Sequence, residues 1–340
     1  MAVPIWKDYY ITLGSGAYND YEVRLASASG TLIYTGRAYK RPGESNVRIR
    51  INGIAADWLA AALPNFAPAG FTPFELQARF VVVDTTGSLE AQAVDFYNDW
   101  SYDRAFNPST QALADPVTGE LDPRQHLIFS TLAASSLTAT LTYRDGTTST
   151  ITIHIARSAD FGDDFNDDFT HTDTGAQSGA AVLDLSAFMG LASVSIGGVT
   201  YPVREDTCAR LVAYYQNARG GWDSLILDGI CKTSDALTRH TTLRDYDNND
   251  ASARGLTDYA IEVAREWELR TGLLTDAQSE RMHNLLNSPQ VFLQDFAQGG
   301  IVFPVVLTDG GAVRQTFRGN GRRMNEYTFN AREAQQQIRR

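Results

Sequence analysis

Forty carboxylates, five histidines and two cysteines are the groups in this 340-residue chain that could carry acid–base, metal or nucleophilic chemistry. The histidines (His126, His154, His171, His240, His283) are scattered. No two stand at the short spacing of a zinc-binding pair, so only the fold could assemble a site from them. His154 alternates with isoleucines in a Thr-rich run and is expected to face solvent or an interface. Asp160, Asp163, Asp164, Asp167 and Asp168 crowd one polar segment that reaches to Asp173, the kind of oxygen cluster that calcium takes. Asp245–Asp250 opens like a calcium loop, but Asp250 stands where the sharp turn needs Gly and Leu256 where the bidentate Glu belongs. A solvated acidic loop is the plainer reading of both. Glycoside hydrolysis needs two carboxylates about 5–10 Å apart, and among so many acids no pair stands out. Phosphate loops, dinucleotide fingerprints, GxSxG, HExxH and paired CxxC are all missing from the sequence. No catalytic residue, metal ligand or cofactor is assigned, and the chain reads as a structural or interaction protein, not an enzyme.

Recognition chemistry leaves more to read. Asn217–Asp223 places Gly220 and Gly221 beside Arg219 and Trp222, between two strands. Such a segment could present a sugar-stacking edge, with Trp100 and Tyr97 as further aromatics of a glycan-binding surface. The favoured reading is a tight hairpin whose Trp anchors a core. The last 27 residues hold seven arginines (Arg314, Arg318, Arg322, Arg323, Arg332, Arg339, Arg340) against two glutamates. In a chain of net charge −11, that is either a docking surface for an acidic neighbour, another copy included, or a solvated tail. The same net charge argues against sequence-independent nucleic-acid binding, which needs a basic footprint. Cys208 and Cys231 are too few for a disulfide framework and are expected as core thiols. The start lacks the basic-then-apolar pattern of a signal peptide, and no run approaches the ~20 apolar residues of a membrane helix. Folding in a cytoplasm is expected.

The elements that must position these residues are mostly strands. Period-two alternation dominates the first 205 residues, in short runs such as Ile5–Leu13, Tyr21–Leu25 and Thr31–Tyr39. Val47, Ile49 and Ile51 alternate with Arg48 and Arg50, a half-buried strand with a charged outer face. A short helix is predicted over 55–63, stopped by Pro64, then strands over 74–83 and 89–96 around a turn at 85–88. The clearest hairpin sets Leu137, Ala139, Leu141 and Tyr143 against Ile151, Ile153 and Ile155, turning at Asp145–Gly146. Residues 193–196 and 199–203 repeat the pattern around Gly197–Gly198. Two long polar loops, 103–124 and 158–178, are functional, mobile or ordered only against a partner.

Past residue 205 the character changes. Strands are predicted over 210–215, 222–232 and, after a polar stretch, 259–269. Thr275 and Gln278 form a capping box for a helix over 276–287, closed by Ser288–Pro289. Strands over 291–295, 302–307, 313–317 and 326–329 follow.

Three stretches carry a resemblance: YYQNARGGWDSLILDG (214–229), EWELRTGLLTDAQSERMHNLLNSPQVFLQD (266–295) and FPVVLTDGG (303–311). Together they make residues 205–340 similar to virion and tail-region proteins of tailed bacteriophages and prophages of Bacteroidetes hosts. The likeness extends loosely to the opening, through IYTGRAY and IRINGIAADWL. It implies a tail structural protein like the distal tail proteins, with a tail-tube-like β fold carrying one embedded helix. In such proteins the ring-forming domain usually comes first, whereas here the helix-bearing region comes last. The resulting expectation is a mainly β chain of tandem sandwich or barrel domains over 1–100, 101–205 and 206–340. Copies would form a ring, a hexamer, between the tail tube and tail-tip or receptor-binding proteins, in the virion after assembly in the host cytoplasm. The alternative is a carbohydrate-binding adhesin of the tail that meets a host surface glycan.

Overall fold

A computed structural model describes residues 2–26, 29–61, 66–67, 70–71, 76–86, 91–108, 110–115, 118–132, 136–154, 179–207, 211–243, 256–308, 313–319, 322–334 and 337–339. Strands hold 55% of the residues, and among the described residues there are two α-helices and no sheet closes into a barrel, so the sandwich half of the expected architecture stands and the barrel half does not. The chain divides into two compact units, residues 1–205 with 216–223, and residues 206–215 with 224–340. Unit one is not split again at residue 100, where the sequence places a boundary, yet it holds two separate hydrophobic clusters.

The first cluster is built by β1 (Val3–Pro4), β2 (Tyr10–Thr12), β3 (Tyr18–Leu25), β4 (Leu32–Tyr39), β5 (Arg48–Arg50), α1 (Asn52–Ala61), β6 (Phe66–Ala67), β7 (Gly70–Phe71), β8 (Gln77–Asp84) and β9 (Gln92–Tyr97). Five strands run in the order β1-β9-β8-β3-β4, while β2 pairs β5 and β6 pairs β7. Alternation decides what is buried. Ile49 turns inward between exposed Arg48 and Arg50, and joins Ile11, Val23, Phe80 and Phe96. The helix adds Ala55 and Leu59, and Trp58 meets Phe80 edge-on at 5.9 Å. Each large apolar side chain so buried contributes about 1.5–3 kcal/mol. The helix starts three residues earlier than predicted. Its first residue, Asn52, is buried and donates from Nδ2 to the carbonyls of Ile5 and Lys7, both at 2.8 Å.

The second cluster belongs to β10 (His126–Thr131), β11 (Ser136–Tyr143), β12 (Thr148–His154), β13 (Gly179–Asp184), β14 (Leu191–Ile196) and β15 (Val199–Pro202). A four-stranded sheet, β12-β11-β14-β15, and the β10–β13 pair both send residues into it. In the β11–β12 hairpin Leu137 faces Ile153 and Ala139 faces Ile151, the predicted matched faces. Gly197 and Gly198 both have positive φ, which lets two residues close β14 onto β15.

Unit two carries one ten-stranded sheet. Its strands are β16 (Leu211–Gln216), β17 (Trp222–Leu227), β18 (Lys232–Leu243), β19 (Leu256–Arg270), β20 (Leu274–Thr275), β21 (Val291–Asp295), β22 (Ile301–Leu307), β23 (Val313–Gly319), β24 (Arg322–Glu333) and β25 (Gln337–Arg339). The main order is β17-β16-β21-β22-β24-β19-β18, with β20 and β23 on β24 and β25 on β19. Helix α2 (Asp276–Asn287) lays Met282 and Leu285 into a core of Trp267, Leu269, Leu293, Tyr327 and Phe329. The predicted capping box is present: Gln278 N donates to Thr275 Oγ1 at 3.2 Å, and Thr275 N to Gln278 Oε1 at 3.0 Å.

Candidate interaction surface

The Asn217–Asp223 turn lies in unit one and is interior. Trp222 is 2% exposed and Tyr97 2%, so neither can stack on a sugar; of the three aromatics singled out, only Trp100, at 46%, meets solvent. The turn is held from several directions. Asn217 Nδ2 donates to Leu113 O at 2.9 Å and to Asp223, whose carboxylate also accepts from Asp115 N at 2.9 Å. Trp100 N donates to Ala218 O at 2.6 Å, and Trp222 N to Ser130 Oγ at 3.0 Å. Arg219 lies over the Phe106 ring at 4.5 Å and reaches Asp103 at 3.5 Å. Loop 103–124, read from sequence as polar, therefore supplies partners from within, and its Phe106, Leu113 and Leu121 are buried.

One exposed feature of unit two was not predicted. Residues 232–243, read as the end of one strand and a polar stretch, form the 12-residue β18, paired to β19 from Lys232↔Glu268 to Leu243↔Leu256. β18 ends the sheet, and among the described residues it has a neighbouring strand on one side only. Its side chains from Lys232 to Thr242 are exposed except at Ala236 and His240. Cross-strand ion pairs lace the ribbon, Lys232–Glu268 at 3.0 Å, Arg239–Asp258 at 2.6 Å and Arg265–Asp235 at 3.8 Å, and His240 Nε2 lies 3.2 Å from Glu262 Oε1. The Lys232 ammonium, then the Arg270 guanidinium, holds the Glu268 carboxyl below its ordinary range. Leu237 and Tyr259, each 57% exposed, stand among these charges. Period-two apolar alternation misses β18 because both its faces are polar. The opposed charges, set among dense threonines, line up as a ladder only once the pairing with β19 is given.

No protein-family model matches the chain, and no curated protein matches it.

The remaining sequence candidates are spread apart. His126 is mostly buried, 4.0 Å from Asp184, and burial lowers its pKa while the carboxylate pulls the other way. His240 serves the ribbon, and His283 is exposed on α2. His171, the run Asp160–Asp173, Asp245–Asp250 and Cys208 lie outside the described residues, so loop 158–178, both calcium candidates and any pairing with buried Cys231 are left aside. Among the described residues, no three metal-ligating side chains converge. Of the C-terminal arginines, Arg314 is tied inward, 3.6 Å from Asp276 and 3.1 Å from Asn325 Oδ1.

Proposed function

We propose that this chain is a structural protein of a phage tail, at the tail tip or baseplate in the manner of a distal tail protein. Copies associate through unit two into a ring of about six, the closed symmetry that hides repeated sheet edges, and unit one meets neighbouring tail or receptor-binding proteins. The observation that carries the reading is β18, a 12-residue strand at the end of its sheet with exposed Leu237. Such an edge presents a row of backbone donors and acceptors to any matching strand. Over Leu256–Ala260, β19 has only β18 beside it among the described residues, and a two-stranded ribbon is marginal in water by itself, so a partner along it would stabilise it. The resemblance of residues 205–340 to tail-region proteins supports the same reading, and among the described residues no helix is long and apolar enough to cross a membrane.

The test is the mass of the purified chain by light scattering over a concentration series, with negative-stain images of large species. Discrete rings are expected. A monomer at every concentration, together with absence of the protein from purified virions, would sink the reading.

A further inference from the structure

Unit one carries an exposed surface on residues other than those proposed for the ring. Seven of the eight exposed aromatic side chains among the described residues lie before residue 103 (Tyr9, Tyr10, Tyr18, Tyr34, Tyr39, Trp100 and Tyr102, with Tyr259 the exception). Two of them meet on the solvent face of the β3–β4 hairpin, where Tyr18 pairs with Tyr39 and their rings lie 6.1 Å apart. Tyr39 is 68% exposed, and Arg37 lies over the Tyr18 ring at 4.5 Å, so one face of Tyr18 is taken, while the Tyr39 ring stays exposed with its hydroxyl hydrogen-bonded to Arg37. Arg37 is fixed there by two bonds to Asp20, at 2.6 and 2.9 Å.

The chain leaves this hairpin through a basic turn. Lys40 N bonds Ala17 O at 2.9 Å and its Nζ reaches the neutral Ser15 carbonyl at 3.3 Å, so its charge is left over. Arg41 and, on the exposed face of β5, Arg48 have no carboxylate partner among the described residues. The acid of this turn, Glu44, keeps one carboxylate oxygen out of solvent with no hydrogen-bond partner. Lys40 and Arg41 follow Tyr39 in the chain and Arg48 opens the next strand, so three cations with no ion pair among the described residues fall within ten residues of an exposed aromatic ring, in a chain whose net charge is −11.

We infer that this face, formed by Tyr18, Tyr39, Lys40, Arg41 and Arg48, binds a carboxylate-bearing polysaccharide. A tyrosine ring offers an apolar plane for the C–H face of a pyranose and a polar tip for its hydroxyls. Guanidinium and ammonium groups pair with carboxylates through short charge-assisted bonds. A neutral glycan would leave the cations unused. Single-stranded nucleic acid also uses rings and cations, but along a basic groove that tracks several nucleotides, whereas these cations are confined to one turn and its neighbouring strand. The inference is independent of ring assembly.

The experiment is affinity electrophoresis of the full chain in gels containing polygalacturonate, alginate or hyaluronate, with dextran and oligo-dT as comparison ligands. Retardation by at least one polyuronate, weakened by salt, and little or none by dextran or oligo-dT is expected. Tyr39→Ala and Arg48→Gln, both at exposed positions and checked for folding by circular dichroism, should each weaken it about three- to tenfold. Tyr102→Ala, a comparably exposed ring outside this set of residues, should not. Retardation by none of the polyuronates overturns the proposal, as does equal retardation by dextran or stronger retardation by oligo-dT. Unchanged retardation of both folded variants places the ligand elsewhere and overturns it as well.

Discussion

At Gly221 there is no room for one more carbon: a Cβ there would stand 1.7 Å from Leu113 O, and at Gly220, where φ is +82°, another would stand 2.4 Å from Asn98 O. Backbone cannot retreat as a flexible side chain can, so Gly221→Ala should cost more than about 3 kcal/mol in urea unfolding of unit one. Gly146→Ala is the contrast, since its φ of +84° meets open space and only the left-handed backbone costs, at about 1–2 kcal/mol. Equal losses at the two sites would show that the turn 216–223 is not packed as described. The sequence made a buried Trp222 legible through the two glycines beside it. It could not show that Leu113 and Asn98, more than a hundred residues away, are what those glycines admit. His126 adds a pH effect at this scale. Burial holds its pKa below the ordinary 6.5, so between those two values the unfolded chain binds the extra proton and stability falls as pH drops through 6.5. Melting temperature measured from pH 7.5 to 5.5 should decline, and His126→Gln should decline less. Parallel declines would mean that other groups carry the effect.

Elements were legible in proportion to how local their signals are. Helix α2 was placed residue for residue because a capping box at one end and Ser288–Pro289 at the other are both written within a few positions. Removing that local bond should have a local price: Thr275→Ala should destabilise unit two by about 1 kcal/mol, the usual value of an N-cap, seen as a lower denaturation midpoint with an unchanged slope. Thr275→Ser should restore most of it. The first turn of α2 is also gripped from the sheet, because fully buried Asn325 on β24 donates to Asp276 at 2.8 Å and to Ser279 at 3.0 Å. A loss well under a few tenths of a kcal/mol would mean that this grip, not the cap, fixes the helix start. β18 was illegible for the opposite reason. An edge strand needs no buried face, so the sequence between Lys232 and Leu243 has no apolar period, and its partners on β19 lie 13 to 36 residues further along the chain. What specifies it is the register of charges, Asp235 opposite Arg265 and Lys232 opposite Glu268, which is visible only once the pairing is known.

For the molecule as a whole, the sequence changes character near residue 205, from short alternating hairpins to longer strands around a helix. That residues 216–223 count with unit one is written in no such change, because the division crosses the strands β16 and β17 and leaves the whole turn between them in unit one. Assembly is the property that belongs to this scale, and β18 allows it to be separated from folding. Leu237 and Thr238 are exposed on that strand, so Leu237→Lys with Thr238→Lys should change stability by no more than about 0.5 kcal/mol per site, as surface substitutions do. Lysines on an edge oppose strand-to-strand pairing, and copies related by symmetry would bring the same lysines together at every interface. If rings form through β18, the doubly substituted chain should run as a monomer at concentrations where the unsubstituted chain is a ring, with melting behaviour nearly unchanged. Rings that persist would exclude the β18 edge as the contact while leaving assembly itself intact. Loss of rings together with a large fall in melting temperature would instead show that the ribbon is part of the fold's own stability and is not held in reserve for a neighbour.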